Sequence, residues 1–244
     1  MSSPSSSSFL MRQVNKFKPR ALRSIGITSV LIPQAIVLGI YGFEQPKDFM
    51  EMLISSFQHY KKFDTPIMRN LILALMFERC VYTFVWLAPK HFQDFAKAYP
   101  ISEIGHPVDV VVALFYVSKI LQMGGLASWY YYTAPWVNMF EISAFQWVTG
   151  LQLILFGQLL NFSIYDAIGK NGVYYGNKFG VSIPWCTGFP FNVFTAHPQY
   201  CGAVATVFGF IVLFATEAHA NAGIFAVGII QALLYTYMAL VEST

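Results

Sequence analysis

The chain is poor in charge: only 11% of its 244 residues are Asp, Glu, Lys or Arg, against about 25% in an ordinary soluble domain. That sets aside a water-soluble globular protein. Cysteine is scarce as well, because Cys80, Cys186 and Cys201 make an odd count with no CxxC spacing, which points to neither a disulfide framework nor a zinc site. All three read as packing residues of an apolar interior, and no metal is expected. The formal net charge of +3 is small, and the Lys and Arg residues sit mainly between apolar runs, so nucleic acid is excluded as a partner. The first apolar run starts late and lacks a small-residue cleavage pattern, which speaks against a secretory signal peptide. No internal repeat or heptad pattern is visible.

What the chain has is apolar length: 56% of it is hydrophobic and 17% aromatic. Several runs reach about 20 residues, which is what a helix needs to cross about 30 Å of hydrocarbon. They fall at 25–43, 71–87, 108–132 and 145–168, followed by a hairpin of 203–216 and 224–241 whose first arm is short for a full span. The expected fold is all-α, a multi-pass transmembrane helical bundle of five or six membrane segments. Pro33 interrupts the first span, which a membrane helix tolerates where a neighbour satisfies the freed carbonyl. Residues 44–69 read as a polar, charge-mixed connection. Glu78 and Arg79 in the second span and Lys119 in the third are costly in lipid and are expected to face the bundle interior or water. As sequence neighbours, Glu78 and Arg79 are expected on different helix faces, one of them pairing with Lys119 or a lipid phosphate. Trp129, Tyr130, Tyr131, Tyr132 and Trp136 read as an interfacial aromatic belt.

The first eight residues are rich in Ser, and Arg12, Lys16, Lys18, Arg20 and Arg23 follow with no acidic residue before Glu44. A basic segment ahead of a span is placed in the cytosol by the positive-inside rule, although the same composition also suits an organelle transit peptide. The chain thus divides into a leader of 1–24, N-terminal spans of 25–154 and a C-terminal core of 155–244.

The first place to look for a site is 169–202, where Gly residues and Pro184, Pro190 and Pro198 break the helical pattern; irregular backbone at membrane depth is tolerated where it lines a cavity. Within Leu155-Phe156-Gly157-Gln158, Gly157 allows close approach of a ligand or of another helix. The run Tyr174-Tyr175-Gly176-Asn177-Lys178-Phe179-Gly180 supplies aromatics and a cation suited to a phosphate headgroup, and equally suits an interfacial loop. Phe189-Pro190-Phe191-Asn192 and His197-Pro198-Gln199-Tyr200-Cys201-Gly202 gather an imidazole, a phenol and a glycine at a loop-to-helix junction. Histidine ordinarily exchanges protons near neutrality, so His197 is the candidate base. Glu242, at the end of the last span, can reach a cation in a site or stand as a solvated carboxylate.

The blocks LFGQ, YYGNKFG, FPFNV and HPQYCG, and the closing LVEST, stand in the order and spacing of the phosphatidylethanolamine and phospholipid N-methyltransferases, and the segment 155–242 resembles that family, its plant-type members most. The resemblance implies S-adenosyl-L-methionine as methyl donor, held by Leu155, Phe156 and Gly157 on one side and by Glu242 with Ser243 on the other, with His197 and Tyr200 assisting. It implies a membrane phospholipid acceptor, phosphatidyl-N-methylethanolamine first and its dimethyl product next, with Tyr174, Tyr175, Lys178 and Asn192 facing its headgroup. It also implies an endoplasmic reticulum membrane, the leader keeping a mitochondrial or plastid membrane open. The single Glu242 departs from the Glu pair and Pro of the animal-type pattern. Methylating an amine requires its free base, which for a Lys-like amine at pH 7 means overcoming about 4–5 kcal/mol of protonation preference, so a proton acceptor or desolvation is needed. An isoprenylcysteine carboxyl methyltransferase shares the HPxY pattern and is the alternative enzyme; a non-catalytic lipid carrier is the alternative outside enzymes. Oligomeric state is not legible.

Overall fold

The structure is a computed structural model that describes residues 19–58, 66–134, 142–184, 186–193 and 197–243. Its helices are α1 (Pro19–Tyr41), α2 (Glu44–Gln58), α3 (Pro66–Leu87), α4 (Pro89–Lys97), α5 (Pro107–Thr133), α6 (Ala144–Val173), α7 (Pro198–Phe214), α8 (Glu217–Asn221) and α9 (Ile224–Glu242). Short 3₁₀ turns occupy Ile101–Ile104 and Gly176–Phe179, and no strand occurs among the described residues. The protein is an all-α, multi-pass membrane bundle. Among the described residues four helices are long and apolar enough to cross a membrane, and a fifth crossing is counted if α1 and α2, bent by 102°, form one span. Ile120 and Phe162 are more than 70% exposed on the outer surface, as side chains facing lipid are. Most of the expected leader, including Arg12, Lys16 and Lys18, lies outside the described residues, as does Trp136.

The interior explains how polar groups survive in this fold. Pro33 has no N–H to give to the carbonyl four residues back, and Gln152 Nε2 of α6 donates to that carbonyl, Ser29 O, at 3.2 Å. Gln34 answers from α1, its Nε2 donating to Thr149 Oγ1 at 2.9 Å and Gln152 Oε1 at 3.0 Å. Gln146 joins two helix ends, receiving the Ser143 N–H at 3.3 Å in a capping box at the start of α6 while donating to Val212 O and Ala215 O at 3.0 and 2.8 Å. Two of the carbonyls at the C-terminal end of α7 are thereby satisfied by a side chain.

The α6–α7 pair is the closest helix contact. Gly150 and Gly157 on α6 meet Gly209 and Gly202 on α7, where missing side chains let the backbones approach. A Cβ added at Gly209 would lie 2.8 Å from Gly150 O and from Ile154 N. Gly209→Ala is therefore expected to force the helices apart and to cost about 1–3 kcal/mol, the usual penalty of overpacking. A lowered thermal midpoint in detergent checks this; an unchanged midpoint would mean the contact yields freely.

Several expectations change. Residues 44–58, expected as connection, form α2, because Phe49 folds back onto Phe145 and Phe225 with ring centroids 5.7 Å away in each case. Trp129 is core and not belt, 4% exposed in the cluster of Met68, Leu71 and Ile224, whereas Tyr131 and Tyr132 are exposed. Cys80 and Cys201 are exposed on the bundle, not packed within it, and Cys186 is intermediate.

Below Trp129 lies His219 of α8, fully buried and stacked on Tyr130 at 3.7 Å. Its Nδ1 lies 2.7 Å from Thr216 Oγ1 and its Nε2 3.1 Å from Tyr130 O. Burial lowers the His219 pKa, the backbone contact with Tyr130 opposing it in part. As pH falls past the ordinary histidine value of about 6.5, the unfolded chain takes up this proton first. The stability contribution is thus present above that pH and lost as pH falls through the depressed folded value. Between about pH 7.5 and about pH 5.5 the thermal midpoint is expected to fall further in the parent than in His219→Gln, a difference that vanishes if the group is already protonated when folded.

Candidate functional site

The site is made by a break in α6 and by the ends of α7 and α9. Gly169 sits inside α6 at φ 67° and ψ 180°, a backbone that favours glycine, and the helix continues in a new direction to Val173. Tyr175 then adopts the left-handed conformation at φ 58°, and a Cβ at Gly176 would meet Asn171 O at 2.8 Å. This turn drives two phenols inward, so that Tyr174 and Tyr175 are 6% and 8% exposed. Tyr174 packs on Phe115, and Tyr175 packs edge-on between Tyr82 and Trp86 of α3, with centroids 5.5 and 5.7 Å away. His197 precedes Pro198, the first residue of α7, and is also left-handed at φ 42°. A histidine held there is strained. Its ring stacks on Tyr200 at 5.5 Å and 16°.

Three elements converge on Glu242 at the C-terminus of α9. Oε1 accepts hydrogen bonds from the Tyr175 and Tyr200 hydroxyls, and Oε2 lies 3.4 Å from His197 Nδ1. The Glu242 side chain is 12% exposed. A helix C-terminus carries partial negative charge, so a carboxylate is unfavourable there; the phenols offset that cost. An ionised carboxylate has about four acceptor positions. With Oε1 taken twice and Oε2 facing only the imidazole among the described residues, the second oxygen retains capacity for a cation.

Two cavities flank this cluster. One, of about 250 Å³, is lined by Glu242, His197, Trp86, Asn177 and Phe191 among others. The other, of about 230 Å³, is lined by Glu78, Arg79, Lys119, Tyr165 and Tyr235 among others. Val173, Tyr175, Gln199 and Tyr200 line both and form the partition. Each is small for a ligand pocket, and together they reach the usual range of about 300–1,000 Å³. The first is acidic, its carboxylate faced by aromatic rings; the second is basic.

In the basic cavity, Glu78 and Arg79 are 1% and 3% exposed. Contrary to the expectation of different faces, they contact each other directly, Arg79 Nη2 donating to Glu78 Oε1. Glu78 Oε2 accepts from Lys119 Nζ and Gln122 Nε2, each at 2.7 Å. The expected pairing with Lys119 is thus made by Glu78, and both of its carboxylate oxygens are engaged. Arg79 is engaged only in part: among the described residues its buried Nε and Nη1 have no hydrogen-bond partner, an arrangement that ordinarily costs about 1–3 kcal/mol per group.

Of the residues singled out in the sequence, Tyr174, Tyr175, His197, Tyr200 and Glu242 are brought together on these cavities. Lys178 lines neither cavity, its Nζ lying 3.5 Å from the ring centroid of Trp86, which lines the first. Asn192 lies in the turn before α7 with its Oδ1 buried and without a partner among the described residues. Gly157 is occupied by contact with Gly202 and Thr206 of α7. Leu155 and Phe156 are 68% and 39% exposed and line neither cavity. Ser243 is exposed at the end of α9, its hydroxyl donating to Leu240 O at 2.7 Å. Tyr82, Trp86 and Tyr235 were not singled out. Tyr235 precedes Glu242 by seven residues, two helical turns, so it shares that face of α9. Among the described residues no three His, Cys, Asp or Glu side chains are grouped to hold a metal.

Comparison with known proteins bears on the same half of the chain. A family model described as phospholipid methyltransferase matches residues 145–244, so the resemblance holds over that segment. Over 77 residues the chain is 40% identical to the phosphatidyl-N-methylethanolamine N-methyltransferase of Arabidopsis thaliana, an alignment covering 30% of this chain and 46% of that protein. The chain therefore spans about half the length of the relative it matches. No solved structure matches.

Proposed function

We propose that the chain is a phospholipid N-methyltransferase that takes phosphatidyl-N-methylethanolamine, and then its dimethyl product, towards phosphatidylcholine. The observation carrying this reading is the Glu242 cluster: a carboxylate, an imidazole and two phenols on an aromatic cavity, within the segment that resembles the family.

The donor set fits S-adenosylmethionine, since a carboxylate with a spare oxygen suits its ammonium and aromatic faces suit its cationic and adenine parts. Glu242, Trp86, Tyr175 and Tyr200 would hold it. When bound, it supplies a methyl group activated on a sulfonium. The protein supplies the rest: it positions the acceptor amine, excludes water from the partition between the cavities, and gives the departing proton a destination. His197 is the acceptor we assign: its Nδ1 faces the Glu242 carboxylate and so carries the N–H, which leaves Nε2 to take the proton. Holding the two reactants in one geometry is the larger contribution. The acceptor would enter laterally from the bilayer and the donor from the cytosol, in an endoplasmic reticulum membrane.

The discriminating experiment offers phosphatidyl-N-methylethanolamine, phosphatidylethanolamine and N-acetyl-farnesylcysteine to the same membranes with labelled donor. Label in the lipids alone is the expected result. Label in farnesylcysteine alone would replace this reading with a carboxyl methyltransferase, and saturable lipid binding with no donor binding would replace it with a carrier.

A further inference from the structure

Arg79 is unexplained by the methyl-transfer chemistry. It sits eight residues before the end of α3, or about 12 Å along the helix, and is 3% exposed. Its planar faces are covered, with Cζ 4.8 Å from the Tyr82 ring centroid and 4.3 Å from that of Tyr235. One edge meets Glu78 through Nη2, while Nε and Nη1 find no partner among the described residues. An ordinary structural ion pair would leave the guanidinium saturated, since truly orphaned buried donors are rare and costly. Gathered here are two cations, Arg79 and Lys119, and one carboxylate, Glu78, whose oxygens are already committed. The cavity they line therefore has unbalanced positive charge.

We propose that this cavity is an oxyanion subsite in which the free donors of Arg79, with Lys119 beside it, hold a phosphodiester or carboxylate group of a reactant. The planar guanidinium fixes Nε and Nη1 as donors on different edges of one plane, so that with the Lys119 ammonium beside them they can meet different oxygens of such an anion, a fixed arrangement that a lysine alone cannot give. The lipid phosphodiester is the source that the position favours. Tyr165, which lines the cavity, is 47% exposed on the outer surface, and the Lys119 side chain is 31% exposed. The cavity thus opens where lipid lies. The partition of Tyr175 and Tyr200 separates it from Glu242, so a phosphate on Arg79 would leave the amine of the same headgroup near the partition. The identity of the lipid rests on the methyl-transfer reading; the anion subsite does not.

The test compares the full chain with Arg79→Gln, Arg79→Lys and Lys119→Gln in detergent micelles. It measures equilibrium binding of labelled S-adenosylmethionine, of dihexanoyl phosphatidyl-N-methylethanolamine, and of dihexanoylglycerol as the phosphate-free comparison. Arg79→Gln is expected to weaken phospholipid binding at least tenfold, to erase the preference for phospholipid over diacylglycerol and to leave donor binding within twofold. Arg79→Lys is expected to recover part of the loss. A tenfold loss of donor binding with phospholipid unchanged would assign the subsite to the methionine carboxylate instead. Both affinities within twofold of the parent would overturn the proposal. If Arg79→Gln fails to fold, Lys119→Gln decides: at least a threefold loss in one arm supports the subsite, and no loss in either overturns it. A parent that binds these ligands and transfers no methyl group refutes the enzyme reading and leaves the subsite standing.

Discussion

Glu242→Ala is expected to lower the affinity for S-adenosylmethionine by about 10²-fold or more, and methyl transfer at fixed donor concentration is expected to fall with it. Removing one partner of a buried charged pair costs about 2–5 kcal/mol, much of it the penalty of leaving the other charge unpaired, and 2.7 kcal/mol corresponds to about 10² in binding. Two things are lost together. The carboxylate no longer faces the donor's ammonium, and the Tyr175 and Tyr200 hydroxyls that it collects are released into the cavity. Glu242→Gln keeps the shape and can still accept from the phenols, so its loss should be smaller, on the order of tenfold, reflecting charge alone. Equilibrium dialysis with labelled donor reads both variants, with thermal midpoints as the control for folding. Unchanged donor binding in folded Glu242→Ala would remove Glu242 from the donor site.

The second large effect is on turnover. His197→Asn is expected to lower kcat by about 10² while leaving donor binding nearly intact, the size usual for loss of a positioned base. Asparagine is the informative replacement because it tolerates the left-handed backbone that His197 occupies at φ 42°; alanine would add backbone strain to the chemical loss. A base also leaves its mark on the pH profile. The acidic limb of the parent's kcat profile should disappear in the variant, whose residual rate instead follows the free-base fraction of the acceptor. A variant with normal kcat, or one slowed equally at every pH, would make His197 a packing residue stacked on Tyr200.

The bundle was legible because its evidence is length and composition: α3, α5, α6 and α9 bracket the runs 71–87, 108–132, 145–168 and 224–241 to within a few residues. Pro33 was legible as a tolerated break, but not its partner Gln152, since nothing in one sequence pairs residues 119 positions apart. The Glu78–Arg79 contact was misread because neighbouring Cβ atoms do diverge around a helix, while a long guanidinium folds back over a turn. Residues 44–58 were misread because their polarity hides one apolar face, that of Phe49 and Met52.

The site was legible in pieces. The blocks containing Tyr175, His197 and Tyr200 lie near one another in sequence, and the family resemblance drew Glu242 to them. Leu155 and Phe156 could have been placed by helical phase. Gly157 faces α7, and residues one and two positions earlier lie about 100° and 200° round the helix, which turns them outward. Arg79 was visible as an intramembrane charge, a functional candidate by default, and only the structure reveals that its Nε and Nη1 have no partner among the described residues.

The central claim, that this chain methylates a lipid amine, is tested most directly by reconstituting the purified chain into liposomes containing phosphatidyl-N-methylethanolamine. Labelled S-adenosylmethionine is added and the lipids are separated. Labelled dimethyl lipid that appears with the parent and is depleted with Glu242→Ala and His197→Asn is the predicted result. Folded parent protein that leaves every lipid unlabelled would contradict the account.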